Sequence, residues 1–240
     1  MNDASGAEIF EEKFVTGLFD RMSKTYGITN YLSSFGMTER WRKQCIKEIS
    51  WDKNIQNGCD LMSGMGETWH LIMEQQNVNL VAVDISANMN EKARANLDRN
   101  KSWHVTILQE NVLKNTITPV SADFVVSAFG LKTFSPESQE ALAREIARVL
   151  RPGGQLSMIE ISRPSHLLMR IPYKFYIKYM IPLIGRLFMG NSEDYRMLGR
   201  YCDRFIDCSH FAACLQSAGI HVVMKKYFFG CASGVVGTKV

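Results

Sequence analysis

The chain has 240 residues, 46% of them hydrophobic and 22% charged, with a formal net charge of +4. That length carries one α/β domain with a full core, and no nucleic-acid function follows from so mild a positive charge unless a local basic region is found. The six cysteines form no CxxC pair, the opening "MNDASGAEIFEEKF" is polar and acidic rather than a secretory leader, and no apolar run reaches the about 18 residues of a membrane span, so reduced thiols in a cytoplasmic protein are expected.

From about Glu8 to Ile49, "EEKFVTGLFDRMSKTY" and "TERWRKQCIKEI" repeat apolar residues every three or four positions. This predicts helices separated by the loop "GITNYLSSFGM". Strands then alternate with helices. "NGCDLM" reads as a short buried strand, "ETWHLIMEQQ" as a helix and "VNLVAVD" as a strand ending in an acid. "SANMNEKARANLDRN" is a helix capped by Ser86, followed by the strands "WHVTILQ" and "ADFVVSAF". "SPESQEALAREIARVL" is an amphipathic helix with a Ser-Pro start, "RPGG" stops it, and "QLSMIEI" is the next strand. This alternation implies a parallel, doubly wound sheet.

The rhythm breaks at "RPSHLLMRIPYKFYIKYMIPLIGRLFMGN", which is basic, aromatic and free of acids. A helix around "SHFAACLQSAG" and a closing hairpin, "IHVVMKKYFF" and "GVVGTKV", complete the chain, and the hairpin obliges the last strand to run antiparallel. The expected organisation is a single domain over 1–240. Residues 1–50 form a helical cap, 51–163 a nucleoside-binding core, 164–200 a lid insertion and 201–240 the final helix and β-hairpin.

The chemistry gathers at strand ends. In "CDLMSGMGE", Asp60 ends the first strand and Gly64 and Gly66 form a turn ahead of a helix, where free N–H groups and a glycine backbone allow close approach to a ligand. Asp84 ends the next strand, the usual place for an acid that holds both ribose hydroxyls, and Asn111 follows the third, where an amide can read an adenine edge. Taken alone, two glycines between strand and helix are equally a bland connection. A dinucleotide would need a third glycine where Trp69 stands, and Glu67 puts a negative charge where phosphate would lie. A cofactor with a sulfonium and an amino group tolerates acids there, so the pattern points to S-adenosylmethionine rather than NAD.

With these residues placed, the chain resembles the class I S-adenosylmethionine-dependent methyltransferases, and among them the UbiE/COQ5 family of quinone-ring C-methyltransferases. "FDRMSKTYGITNYLSSFGMTERWRK" is similar to the family's opening signature through Phe19, Tyr26, Asn30, Leu32, Ser34, Gly36 and Trp41. "AVDIS", "SAFGLKTF", "LRPGGQL" and "IPLIGRLFMGNSEDYRMLG" resemble its later motifs. The resemblance implies a Rossmann-like seven-stranded sheet of order 3-2-1-4-5-7-6 with the last strand antiparallel, flanked by helices, with the helical cap and lid added. It implies cofactor contacts at Tyr26, Asp60, Gly64, Met65, Gly66, Asp84, Ile85, Asn111, Val112, Ser127 and Ala128. Departures from the pattern are Met62 and Met65 in the glycine loop, Glu67 for aspartate, Gly27 for aspartate and Lys132 for an arginine linked to proton removal.

The implied reaction is C-methylation of an electron-rich aromatic ring such as a quinol. Lys132, Tyr195, Asp194 and His166 are candidates to assist loss of the acceptor's proton. For Lys132 the competing reading is a solvated surface lysine, and for Trp41 a helix-packing aromatic. Cys202, Cys208, His210 and Cys214 are irregularly spaced and read as core residues rather than a metal site. Residues 164–190 are expected to cover a prenylated acceptor or to lie on a membrane surface, with packing in a homodimer or in the core as the alternative. Two other functions stay open: O- or C-methylation of a soluble specialised metabolite, and a nucleoside-binding protein repurposed for other chemistry.

Overall fold

The computed structural model describes residues 8–23, 34–164, 166–180 and 192–240. Seven strands make one sheet of order β3-β2-β1-β4-β5-β7-β6. They are β1 Asn57–Leu61, β2 Asn79–Asp84, β3 His104–Gln109, β4 Ala122–Ala128, β5 Leu150–Ile161, β6 Ile220–Tyr227 and β7 Ala232–Lys239. Strand β7 is antiparallel to both neighbours, as a terminal hairpin requires.

The helices are α1 Glu12–Met22, α2 Met37–Lys47, α3 Trp69–Gln75, α4 Ala87–Arg99, α5 Pro136–Val149, α6 Leu167–Phe175, α7 Ser192–Arg204 and α8 Ser209–Ser217. Period-2 alternation divides β4 between two cores. Phe124 and Val126 pack with Ile46, Trp69 and Ile72 of α2 and α3, while Val125 packs with Leu142, Ile146, Phe211 and Leu215 of α5 and α8. Helices therefore cover both faces of the sheet. Ser86 and Ser135 cap α4 and α5 by accepting from the N–H groups of Met89 and Ser138.

Three local features differ from expectation. "RPGG" does not stand as a turn between α5 and β5. Strand β5 begins at Leu150 and carries the glycines through a register shift opposite Ala122 and Phe124, with Gly153 at φ +77°. Helix α6 contains Pro172, which has no N–H to donate, and passes into a π-helical turn over Tyr176–Met180. Helix α7 occupies a stretch for which no helix was expected; Met197 and Tyr201, one turn apart, pack it on Ile9, Leu18 and Met22. No helix among the described residues is long and apolar enough to cross a membrane.

Candidate active site

A cavity of about 330 Å³ opens at the carboxyl ends of β1, β2 and β4. The central strands end there in strained backbone. Met62, just past β1, has φ 53° and Phe129, just past β4, has φ 71°, both unusual for side chains with a Cβ. Both line the cavity.

The loop after β1 is organised by acids. Gly64 N–H donates to Asp84 Oδ2 (2.8 Å) and Ser86 N–H to Asp84 Oδ1 (2.9 Å), so the carboxylate ties the glycine turn to the start of α4. Asp60 Oδ2 accepts from Thr68 Oγ1 (2.5 Å) and from Trp69 Nε1 (3.1 Å). Trp69 thus fills the third-glycine position with a buried indole, and a Cβ on Gly66 would stand 2.6 Å from that ring. Burial pushes Asp60 up to about 7 and Asp84 up to about 6, each against the hydrogen bonds it accepts and with help from neighbouring acids.

Glu67 is not the bare anion its position suggested. Its Oε2 accepts from Met65 N–H (3.0 Å) and its Oε1 faces Arg42 Nη2 (3.3 Å). Negative charge toward a ligand therefore comes chiefly from Asp84, since burial keeps Asp60 partly protonated near neutral pH. The Ser63 hydroxyl also lines the cavity and is buried without a hydrogen-bond partner. A buried, unpaired hydroxyl beside two carboxylates suits a polar nucleoside.

Asp60, Gly64, Asp84, Ile85, Asn111, Val112 and Ala128 are brought together around this cavity. Asn111 is more engaged than expected of an adenine reader. Its Oδ1 accepts from Leu113 N–H (2.9 Å) and its Nδ2 donates to Glu12 Oε2 (2.6 Å) on α1. Met65 and Gly66 do not line the cavity; they face a separate groove with His70 and Lys92. Ser127 is buried in β4, its hydroxyl unpaired, and also stands outside the lining. Tyr26 lies outside the described residues, as do the side chains of Asp194 and Tyr195 on α7.

Lys132 is not a solvated lysine. It is 4% exposed, and its Nζ donates to Glu160 Oε1 (2.9 Å) and to the Phe129 carbonyl (2.7 Å) rather than lining the cavity. His166 is exposed at the start of α6 and does not reach the cavity. Trp41 is buried against Phe129. Cys214 Sγ lies 3.6 Å from His210 Nε2, and no group of three metal-ligating side chains occurs among the described residues.

Further lining comes from α1 and the 3-10 turn Glu8–Phe10 before it, where the motif had marked Phe19 alone. Phe10, Glu12, Val15 and Phe19 close one side of the cavity. Asp20 holds this helix in place, since its Oδ1 accepts from Ser86 Oγ (2.5 Å) and Asn88 N–H (3.2 Å) at the start of α4. Phe19 and Asp20 stand in the "FDRM" run, which was the available signal.

The sequence pattern of the ubiE/COQ5 methyltransferase family matches residues 7–239. The chain belongs to that family. Its cofactor is S-adenosylmethionine and its activity methyl transfer. A demethylmenaquinone methyltransferase of Lactiplantibacillus plantarum is 30% identical over 94% of this chain and 95% of its own. Among solved structures, a SAM-dependent methyltransferase from Thermotoga maritima superposes with TM-score 0.63 at 17% identity, over 93% of this chain and 99% of that one. Phosphoethanolamine N-methyltransferase 2 of Haemonchus contortus, solved with S-adenosyl-L-methionine, gives 0.62 at 12% identity, over 83% of this chain and 52% of that one. These last two likenesses establish the shared fold.

Proposed function

We propose that this ubiE/COQ5-family methyltransferase methylates a ring carbon of a hydroxyarene, a quinol that carries an apolar tail, at a membrane surface reached from the cytoplasm. The observation that carries this reading is the similarity, along nearly the full length of both chains, to a relative named for demethylmenaquinone. Bound S-adenosylmethionine supplies an electrophilic methyl group on a sulfonium. Asp84 would take the ribose hydroxyls, which its ionised form accepts while still holding the glycine loop. Asp60 and the Ser63 hydroxyl would face the cofactor's polar groups, with Ile85, Val112 and Ala128 supplying the apolar walls. A ring carbon becomes nucleophilic when an adjacent phenolate feeds it electrons, so holding the phenolate form of the acceptor is the protein's other task. Lys132 serves this indirectly: its ammonium is held by Glu160 and the Phe129 carbonyl, and so it fixes the strained Phe129 corner of the site.

The tail and the membrane are supported by the described part of the lid. Leu168, Ile171, Phe175 and Tyr179 are exposed along α6 and the turn after it, together with Lys174, Lys178 and the half-buried Arg170. An apolar stripe with cations and no acid suits an anionic lipid surface. The test is transfer of labelled methyl to demethylmenaquinol presented in liposomes of anionic lipid. Labelled product is expected, with loss of liposome binding on Lys174→Glu/Lys178→Glu. Transfer only to tail-free phenols in solution, with no liposome binding, would overturn the lipid-borne acceptor.

A further inference from the structure

The turn between β6 and β7 is built against its own sequence. Phe228 has φ 43°, Phe229 φ 56° and Gly230 φ 87°, three left-handed residues in a row. Hairpin turns of this hand take Asn and Gly, and a bulky aromatic side chain there is strained. The two rings meet edge to face at 5.6 Å, yet they are 51% and 70% exposed, so the core gains little from them. Folding does not account for a strained backbone that presents two phenylalanines to the outside. Phe35 repeats the combination, with φ 49° and 79% exposure, and its ring lies 5.8 Å from that of Tyr176 in the turn after α6.

The hairpin turn adjoins the exposed stripe of α6. Met169 and Tyr173, on the inner side of that helix, pack with Tyr227, Cys231 and Ala232, which flank the turn. The turn also lies at the end of the sheet where the cavity opens. Ala232 pairs with both Ile161 and Tyr227, and Ile159, two residues before Ile161, pairs with Ala128 at the carboxyl end of β4. Residues 166–180 and 220–231 contain no Asp or Glu and five Lys or Arg. Lys225 is paired with Glu48, and Lys226 is exposed two residues before Phe228. Single apolar residues on a surface are ordinary, but an aromatic patch rimmed by cations fits an anionic bilayer. Lipid headgroups would meet the cations and acyl chains would take the rings. A second copy of the chain fits less well, because a two-fold interface would set the same cations against one another.

We infer that the Phe228–Phe229 turn inserts into the bilayer beside α6 and holds the cavity mouth toward the membrane, a second lipid contact outside the lid. This rests on the membrane reading above. Full-length protein is sedimented with vesicles of mixed phosphatidylglycerol and phosphatidylcholine. Phe228→Asn/Phe229→Gly supplies the residues that suit the turn's backbone, so Tm should hold or rise and S-adenosylhomocysteine affinity should stay within about twofold. Vesicle binding should nevertheless fall about tenfold or more. In Phe229→Trp, the fluorescence gained over wild type should shift to the blue on vesicle binding and be quenched by lipid brominated along its acyl chains. Unchanged vesicle binding by the double variant, or an added indole that brominated lipid does not quench, overturns the inference. If the double variant loses S-adenosylhomocysteine binding, Phe229→Trp decides. Light scattering that shows the double variant splitting a wild-type dimer, with vesicle binding intact, assigns the turn to self-association and overturns the inference as well. Wild-type binding that is lost on Lys174→Glu/Lys178→Glu but kept in the double variant overturns the turn's role and leaves the membrane reading standing. Wild type that binds no vesicles overturns both.

Discussion

Replacing Asp60 by asparagine should change how stability depends on pH. Asp60 is 1% exposed at the end of β1. Burial raises it from an ordinary 3.8 to about 7, opposed by bonds from Thr68 and Trp69 and reinforced by Glu67 and Asp84. At about 1.36 kcal/mol per pH unit, that rise is worth roughly 4 kcal/mol. The folded-state value lies above the unfolded one, so this contribution is fully present below about pH 4 and is lost as pH rises through about 7. Asp84 acts in the same direction through about 6, and the two adjacent carboxylates titrate together. An asparagine carbonyl at position 60 can still accept from Thr68 and Trp69 but cannot ionise. Urea denaturation of the cofactor-free protein at pH 5, 6, 7 and 8 measures the difference. Relative to Asp60→Asn, wild type should lose roughly 3 kcal/mol between pH 5 and 8. Parallel profiles, within about 0.5 kcal/mol across that range, would refute the assignment of a buried, proton-holding Asp60.

Other perturbations probe the rest of the site. Lys132→Met strands Glu160, which is fully buried, and should cost about 3–5 kcal/mol in urea denaturation, while Lys132→Met/Glu160→Leu should recover much of it. Gly66→Ala combines φ +81° with a Cβ 2.6 Å from the Trp69 ring, so a loss of roughly 2 kcal/mol or more and a lower Tm are expected. Asp84→Ala removes the acceptor for Gly64 and Ser86, and S-adenosylhomocysteine affinity measured by calorimetry should fall about 100-fold. In wild type the same affinity should weaken as pH falls through about 6, where Asp84 takes up a proton, and an affinity independent of pH from 5 to 8 would contradict that role.

Much of this molecule was determined by local order along the chain. Alternating apolar runs set the strands, three- and four-residue spacing set the helices, and Ser86 and Ser135 marked two helix starts, because each signal needs only neighbours a few residues away. The candidate crevice was legible for the same reason: Asp60 and Asp84 lie at the ends of strands and Asn111 follows one, and parallel strands bring their ends to one side. Only tertiary structure decided where side chains turned. Trp69 interrupts the glycine pattern yet anchors Asp60, nine residues away on the preceding strand. Lys132 reads as a free cation until β5 places Glu160 against it. Asn111 meets Glu12, and Asp20 meets Ser86, because α1 folds back over the cavity from the far end of the sequence. Such pairings join residues up to 99 positions apart, and no periodicity or spacing carries information over that range.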